Sequence, residues 1–308
     1  MGDTVLLHGC GKHNFKGRGG NLMRPIEIKR LMWGLAFVVT GMAGAAERVT
    51  IKGSDTMVIL GQQWAERYMK THPDAVIQVT GGGSGTGIAA LINGATDIAQ
   101  SSRPMKPKER DEIKKRQGKE VKEISVALDG IAIYVHPSNG VKDLSLEQLK
   151  SIYTHDLMDW KDVGGAPGAI VMYGRENNSG TYAYFKEHVL KEVDFAPEVQ
   201  TLPGTAAVIN AVSKDPKSIG YGGIAYSKGV KALGVRKDAG STPLKPSMSD
   251  VVAGRYPISR SLYFYVKGEP TGSVKEFIDW ILSVEGQKIC EKVGYYPLPN
   301  IKTSKKGR

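Results

Sequence analysis

From Arg48 onward the chain alternates between short β-branched apolar runs and stretches with apolar residues at helical spacing. "RVTIKG" precedes "TMVILGQQWAERYMKTH", "AVIQVT" precedes "GIAALING", and "DIAQSS" precedes "KPKERDEIKKRQG" before the strand "GIAIYVHP". A second series starts near Asn139: helix "SLEQLKSIY", strand "AIVMYG", helix "GTYAYFKEHVLKEV", strand "VQTL", helix "TAAVINAVSKD", then "SIGYGGIAYSK". The apolar strand "SRSLYFYVKG" and one long helix, "SVKEFIDWILSVEGQKICEKV", complete the pattern. Alternation of this kind predicts an α/β fold with mainly parallel sheets flanked by helices. At 308 residues there is chain enough for two such domains.

The first 46 residues lie outside this pattern. Arg24, Lys29 and Arg30 precede an apolar run over 31–39, and small residues follow, ending "AGAA". A basic flank, a short apolar core and a small-residue stop predict a secretory signal peptide cut near Ala45 or Ala46. The run is too short to span a bilayer. Met23 is then the expected start of the leader, Cys10 is lost with it, and Cys290 remains as a lone cysteine, expected as a small core residue on a helix. Without residues 1–46 the formal charge falls from +11 to +7, with 36 Lys and Arg against 29 Asp and Glu. These cations are interspersed with acids and not clustered with aromatics, which argues against nucleic acid as a partner. The basic tail over 302–308 is expected to be disordered.

"GGGSGTG", residues 81–87, falls at a strand-to-helix turn. Glycine loses more conformational freedom on folding than any other residue, so a run of it here implies a backbone that must pass close to something. Four turns share a second trait: "GSDT" (53–56), "GSGTG" (83–87), "SSRP" (101–104) and "NSGT" (178–181) each follow a strand and carry hydroxyls at a helix start. Any one of them is explained by N-capping. Four at the C-terminal ends of strands in an open α/β sheet converge on one crevice, where N–H groups, hydroxyls and helix dipoles make an oxyanion site.

Other chemistry finds no support. The glycine loop breaks G-x-G-x-x-G and has no P-loop lysine; Ser84 lacks the glycine of a nucleophile elbow; and no S-x-x-K occurs. His72, His136, His155 and His188 show no metal spacing and are read as solvent-facing or structural. With no metal, cofactor or catalytic residue indicated, binding is preferred to catalysis. Arg175, in "YGRENNSGT", could fork onto an anion held by Ser179, Gly180 and Thr181. The alternative is a surface arginine paired with Glu176.

These motifs, with "DGIAIYVHP", "LEQLKSIY", "SIGYGGIAY" and "YPISRSLYFYV" in the same order, resemble the periplasmic phosphate-binding proteins of phosphate-specific ABC transporters over residues 47–300. The resemblance implies a two-lobed periplasmic binding protein (type II, Venus flytrap), with two crossing strands as the hinge. It places one lobe at 47–137 plus 257–301 and the other at 138–256. It implies a monomer that binds inorganic phosphate in the periplasm and passes it to permease subunits in the inner membrane. The contacts it implies are Ser54, Thr56, Ser84, Ser101, Ser102, Arg175, Ser179, Gly180 and Thr181. Where better-known members carry an aspartate that accepts the phosphate proton, this chain has Ser102, and Asn177 replaces a second aspartate. An acceptor would then be Asp55, Glu176 or a hydroxyl; Asp97 and Asp129 fit a turn residue and a structural acid beside the hinge. A secreted phosphate-ester hydrolase or adhesin on the same scaffold, or a binder of sulfate or arsenate, stays open as an alternative.

Overall fold

The computed structural model describes residues 48–301, which all fall within one compact unit. The expected signal peptide and basic tail lie outside the described residues. The elements run β1 (Arg48–Gly53), α1 (Val58–Thr71), β2 (Val76–Thr80), α2 (Ser84–Ile92), β3 (Ile98–Ser101), α3 (Pro107–Gln117), β4 (Val121–Val135), β5 (Asp143–Ser145), α4 (Leu146–Tyr153) and β6 (Val171–Arg175). They continue through α5 (Gly180–His188), β7 (Gln200–Leu202), α6 (Gly204–Val212), β8 (Ser218–Gly223), β9 (Lys231–Ala232), β10 (Gly234–Arg236), α7 (Met248–Val252), β11 (Ser259–Lys267), α8 (Gly272–Ile281) and α9 (Val284–Val293).

The main sheet runs in the order β2-β1-β3-β11-β4-β8-β6-β7. β1 is parallel to β2 and β3, and β6 is parallel to β7 and β8, so each end of the sheet is parallel. Between them, β4 and β11 run antiparallel, with Arg260 paired to Asp129 in register. β4 belongs to both ends: Val121–Gly130 pairs with β11, and Ile131–Val135 pairs with β8. The chain therefore crosses twice between two α/β layers, on β4 and β11. Among the described residues no helix is long and apolar enough to cross a membrane.

Two large cores cover the two ends. One gathers Val49, Ile51, Leu60, Trp64, Phe264 and Phe277 around α1, α8 and α9. The other gathers Ile133, Leu149, Tyr153, Phe185, Ile219 and Tyr221 around α4 and α5. Local sequence explains the packing. In α1 the buried residues Leu60, Trp64 and Tyr68 recur every four positions, with Ala65 beside them on the same face. In β1 burial alternates, with Val49 and Ile51 inward. Cys290 is fully buried on α9, as expected, and burial pushes its thiol pKa up.

Two expectations change. The strand expected at residues 130–137 begins nine residues earlier, at Val121, because the charged start "VKE" hydrogen-bonds along β11 with its charges facing outward. The single long C-terminal helix is two helices. Ser283 accepts from Gly286 N at the start of α9, and a Cβ on Gly286 would stand 2.4 Å from the carbonyl oxygen of Ile281, so the chain doubles back at that point.

Candidate oxyanion site

The C-terminal ends of β1, β2, β3 and β6 all meet one cleft, each followed by a turn or helix start. Ser54 follows β1, and its backbone N–H donates to Gln100 O at 2.8 Å, tying the first turn to β3. Ser84 opens α2, and Ser102 follows β3. Their hydroxyls form a buried cluster: Ser54 Oγ donates to Ser102 Oγ at 2.9 Å, Ser84 Oγ lies 3.4 Å from Ser102 Oγ, and Ser102 N donates to Ser84 Oγ at 3.1 Å. All three residues are at most 1% exposed.

The opposite wall comes from β6 and α5. Ser179 caps α5, its hydroxyl accepting from Thr181 N at 3.1 Å and Tyr182 N at 3.3 Å. Gly180 then faces the serine cluster so closely that a Cβ on it would lie 2.3 Å from Ser84 Oγ and 2.7 Å from Ser102 Oγ. Thr181 Oγ1 meets Thr56 Oγ1 at 2.8 Å, joining the two walls. The glycine loop makes the same approach. Gly83 has φ of +89°, and a Cβ there would stand 2.7 Å from Asn178 O, while Gly85 N donates to that carbonyl at 2.9 Å. Its glycines thus let one wall reach the other.

Arg175, at the end of β6, is 1% exposed, which removes the reading as a surface arginine. Its Nη1 donates to Thr205 Oγ1 at 2.7 Å and its Nη2 to Asp55 Oδ2 at 2.8 Å, across the cleft; Glu176 is exposed. Nε has no hydrogen-bond partner among the described residues. Burial draws the Arg175 pKa down and Asp55 opposes it, but a guanidinium stays charged at any accessible pH. Below the cluster, Arg260 on β11 binds Asp129 on β4, with Nε and Nη2 at 3.0 and 2.8 Å from Oδ2. Burial pushes the Asp129 carboxyl up while Arg260 pulls it down.

Eight of the nine residues expected from sequence stand along these two walls. Ser101 does not join the hydroxyl cluster: its Oγ donates to Arg103 O at 2.8 Å and closes its own turn. Two residues were missed. Thr205 opens α6 after β7, so "PGT" repeats the hydroxyl-after-strand pattern of the other four turns and was there to be read. Arg260 stands at an inward-facing position of an apolar strand, where an arginine is out of place unless it has a partner. Asp129, expected as a structural acid near the hinge, is fully buried at the crossing strands.

The two guanidinium groups are each matched by a carboxylate, so neither is a free charge. An anion here would be held chiefly by hydroxyl and amide dipoles and by the α5 N-terminus, with Arg175 Nε as a charged donor to spare.

Two α/β layers joined by crossing strands, with donors converging from both walls of the cleft between them, define a two-lobed binding protein. A model of the PBP superfamily domain matches residues 39–285. Within that superfamily the chain belongs to the family of phosphate-binding proteins PstS. It is 33% identical to the phosphate-binding protein PstS of Pseudomonas aeruginosa, over 89% of this chain and 96% of that protein. It is 35% identical to the PstS of Bacillus subtilis, over 86% and 85% respectively. Among solved structures it is similar to a substrate-binding protein from Clostridium perfringens assigned to a phosphate ABC transporter and holding phosphate. The TM-score is 0.74 and the identity 33%, over 82% of this chain and all of that one.

Proposed function

We propose that the chain binds inorganic phosphate outside the cytoplasm and delivers it to the permease subunits of an ABC transporter, as a monomer exported through a cleaved signal peptide into the periplasm. The role is carriage and not turnover. The observation that carries this reading is the meeting of three buried serine hydroxyls, the capped start of α5 and a buried arginine with an unpartnered Nε. A tetrahedral oxyanion offers acceptors in four directions and suits donors that arrive from two walls.

Ser54, Thr56, Ser84 and Ser102 contact the anion from one lobe, and Arg175, Ser179, Gly180 and Thr181 from the other, with Ser101 holding the turn behind Ser102. The lobes are residues 47–137 with 257–301, and 138–256; the separate cores around Trp64 and Tyr153 support that division. At neutral pH phosphate carries a proton and sulfate does not. Asp55 accepts that proton in this reading: it lies against Arg175, and a carboxylate has lone pairs left after accepting from Arg175 and Gly82 N.

Calorimetric titration of protein stripped of bound anion tests the proposal. One phosphate per chain should bind, and sulfate should bind on the order of 100-fold more weakly, since its oxygens meet the carboxylate with no hydrogen between them. No heat with phosphate, or equal affinity for both anions, contradicts it.

A further inference from the structure

Arg260 does more than neutralise Asp129. Its side chain is 2% exposed and that of Asp129 is 0% exposed, and Nε and Nη2 suffice for the pair. The remaining donors reach one group on each side of the cleft: Nη1 donates to Ser102 O at 2.9 Å, and Nη2 also donates to Thr181 Oγ1 at 3.0 Å. The Tyr184 ring lies under the guanidinium, 5.5 Å from its centroid, and fixes its plane.

This arrangement sets the polarity of Thr181. A guanidinium can only donate, so Thr181 Oγ1 must accept from Arg260, and its single hydrogen is turned away from Arg260, toward the side where Thr56 Oγ1 lies 2.8 Å away. Held by its carbonyl, Ser102 has its backbone fixed beside the other two serines. We propose that Arg260 is a positioning residue of the oxyanion site: from the crossing strand it holds Ser102 on its own wall and reaches Thr181 on the other, so that it fixes both at once only when the walls are together. The inference rests on the reading of this cleft as a phosphate site.

The test separates positioning from charge balance. Stripped wild type, Arg260→Gln, Arg260→Lys, Thr181→Val, Arg260→Gln/Asp129→Asn and Arg260→Gln/Thr181→Val are titrated with inorganic phosphate, and the thermal midpoint of each is measured. Removing both charges together should return the midpoint of Arg260→Gln/Asp129→Asn toward wild type, yet leave phosphate binding about 10- to 100-fold weaker. Arg260→Lys keeps a charge beside Asp129 but loses the fork, so it should fold and bind at least about 10-fold more weakly. Arg260→Gln/Thr181→Val should lose clearly less affinity than the sum of its two single variants, because Arg260 acts in part through the Thr181 hydroxyl. Wild-type affinity in Arg260→Lys or in the charge-free double variant, or fully additive losses in the Thr181 cycle, overturns the proposal alone. Wild type that binds no phosphate overturns the functional reading and this proposal together.

Discussion

Arg175 and Gly180 stand on one wall of the proposed site, and their substitution separates charge from space. Arg175→Ala removes the guanidinium that donates to Thr205 and Asp55 and carries the unpartnered Nε. Phosphate affinity should fall by about 2–4 kcal/mol, because charge-assisted bonds in a buried cleft are the strong kind. Titration checks this, and near-wild-type affinity would mean that the arginine does not touch the anion. Gly180→Ala removes no donor, yet its Cβ would meet Ser84 Oγ at 2.3 Å. The start of α5 must then retreat, and binding should weaken by about 1–3 kcal/mol with an unchanged unfolding midpoint. Unaltered binding in that variant would mean that the walls need not come this close. At this scale the sequence was informative wherever a residue serves its own turn: the serines, Thr56, Thr181 and Arg175 all sit in strand-to-helix motifs. Arg260 meets Asp129 from 131 positions away and Thr181 from 79, and no local pattern announces contacts of that length.

Among the elements, α3 carries a titrating clamp that the sequence pattern left unremarked. Arg103 leaves the turn after β3 and binds Glu109 with both nitrogens, Nη1 to Oε2 at 2.8 Å and Nη2 to Oε1 at 2.6 Å, while Lys106 N donates to Oε2 at 2.8 Å. Burial alone would raise the Glu109 pKa, but the bonds from Arg103 and Lys106 outweigh it and hold the carboxyl below its ordinary value of 4.5. A carboxyl with a depressed folded pKa contributes stability that is present above the unfolded pKa and lost as pH falls through the folded one. The clamp should therefore be intact above about pH 5 and fail below pH 4.5. Glu109→Gln should cost about 1–2 kcal/mol at pH 7 and flatten the decline of stability below pH 4.5. Denaturant unfolding of both proteins from pH 3 to 7 decides it; parallel curves would assign the acid sensitivity to other groups. The helices and strands themselves were legible because their periodicity is local. The early start of β4 and the break between α8 and α9 were not, since each depends on what packs alongside: β11 in one case and the Ile281 carbonyl in the other.

Across the whole molecule, the parts of the site are divided between two cores that only β4 and β11 join within the main sheet. Ser54, Ser84 and Ser102 stand with one core, and Arg175, Gly180 and Thr181 with the other, so an anion held between them would be fully satisfied only when both walls meet. Phosphate should accordingly compact the stripped protein in small-angle scattering, and identical profiles would mean that closure does not depend on the anion. A crystal structure of the phosphate-loaded protein decides whether the two walls form the site. It should show one phosphate between them, its oxygens within hydrogen-bond distance of Ser84 and Ser102 on one side and of Arg175 and the Gly180–Thr181 start of α5 on the other. Phosphate bound elsewhere, such as among Arg67, Lys70, Lys288 and Lys292 between α1 and α9, with the serine cluster making no contact to it, would overturn the assignment of the site.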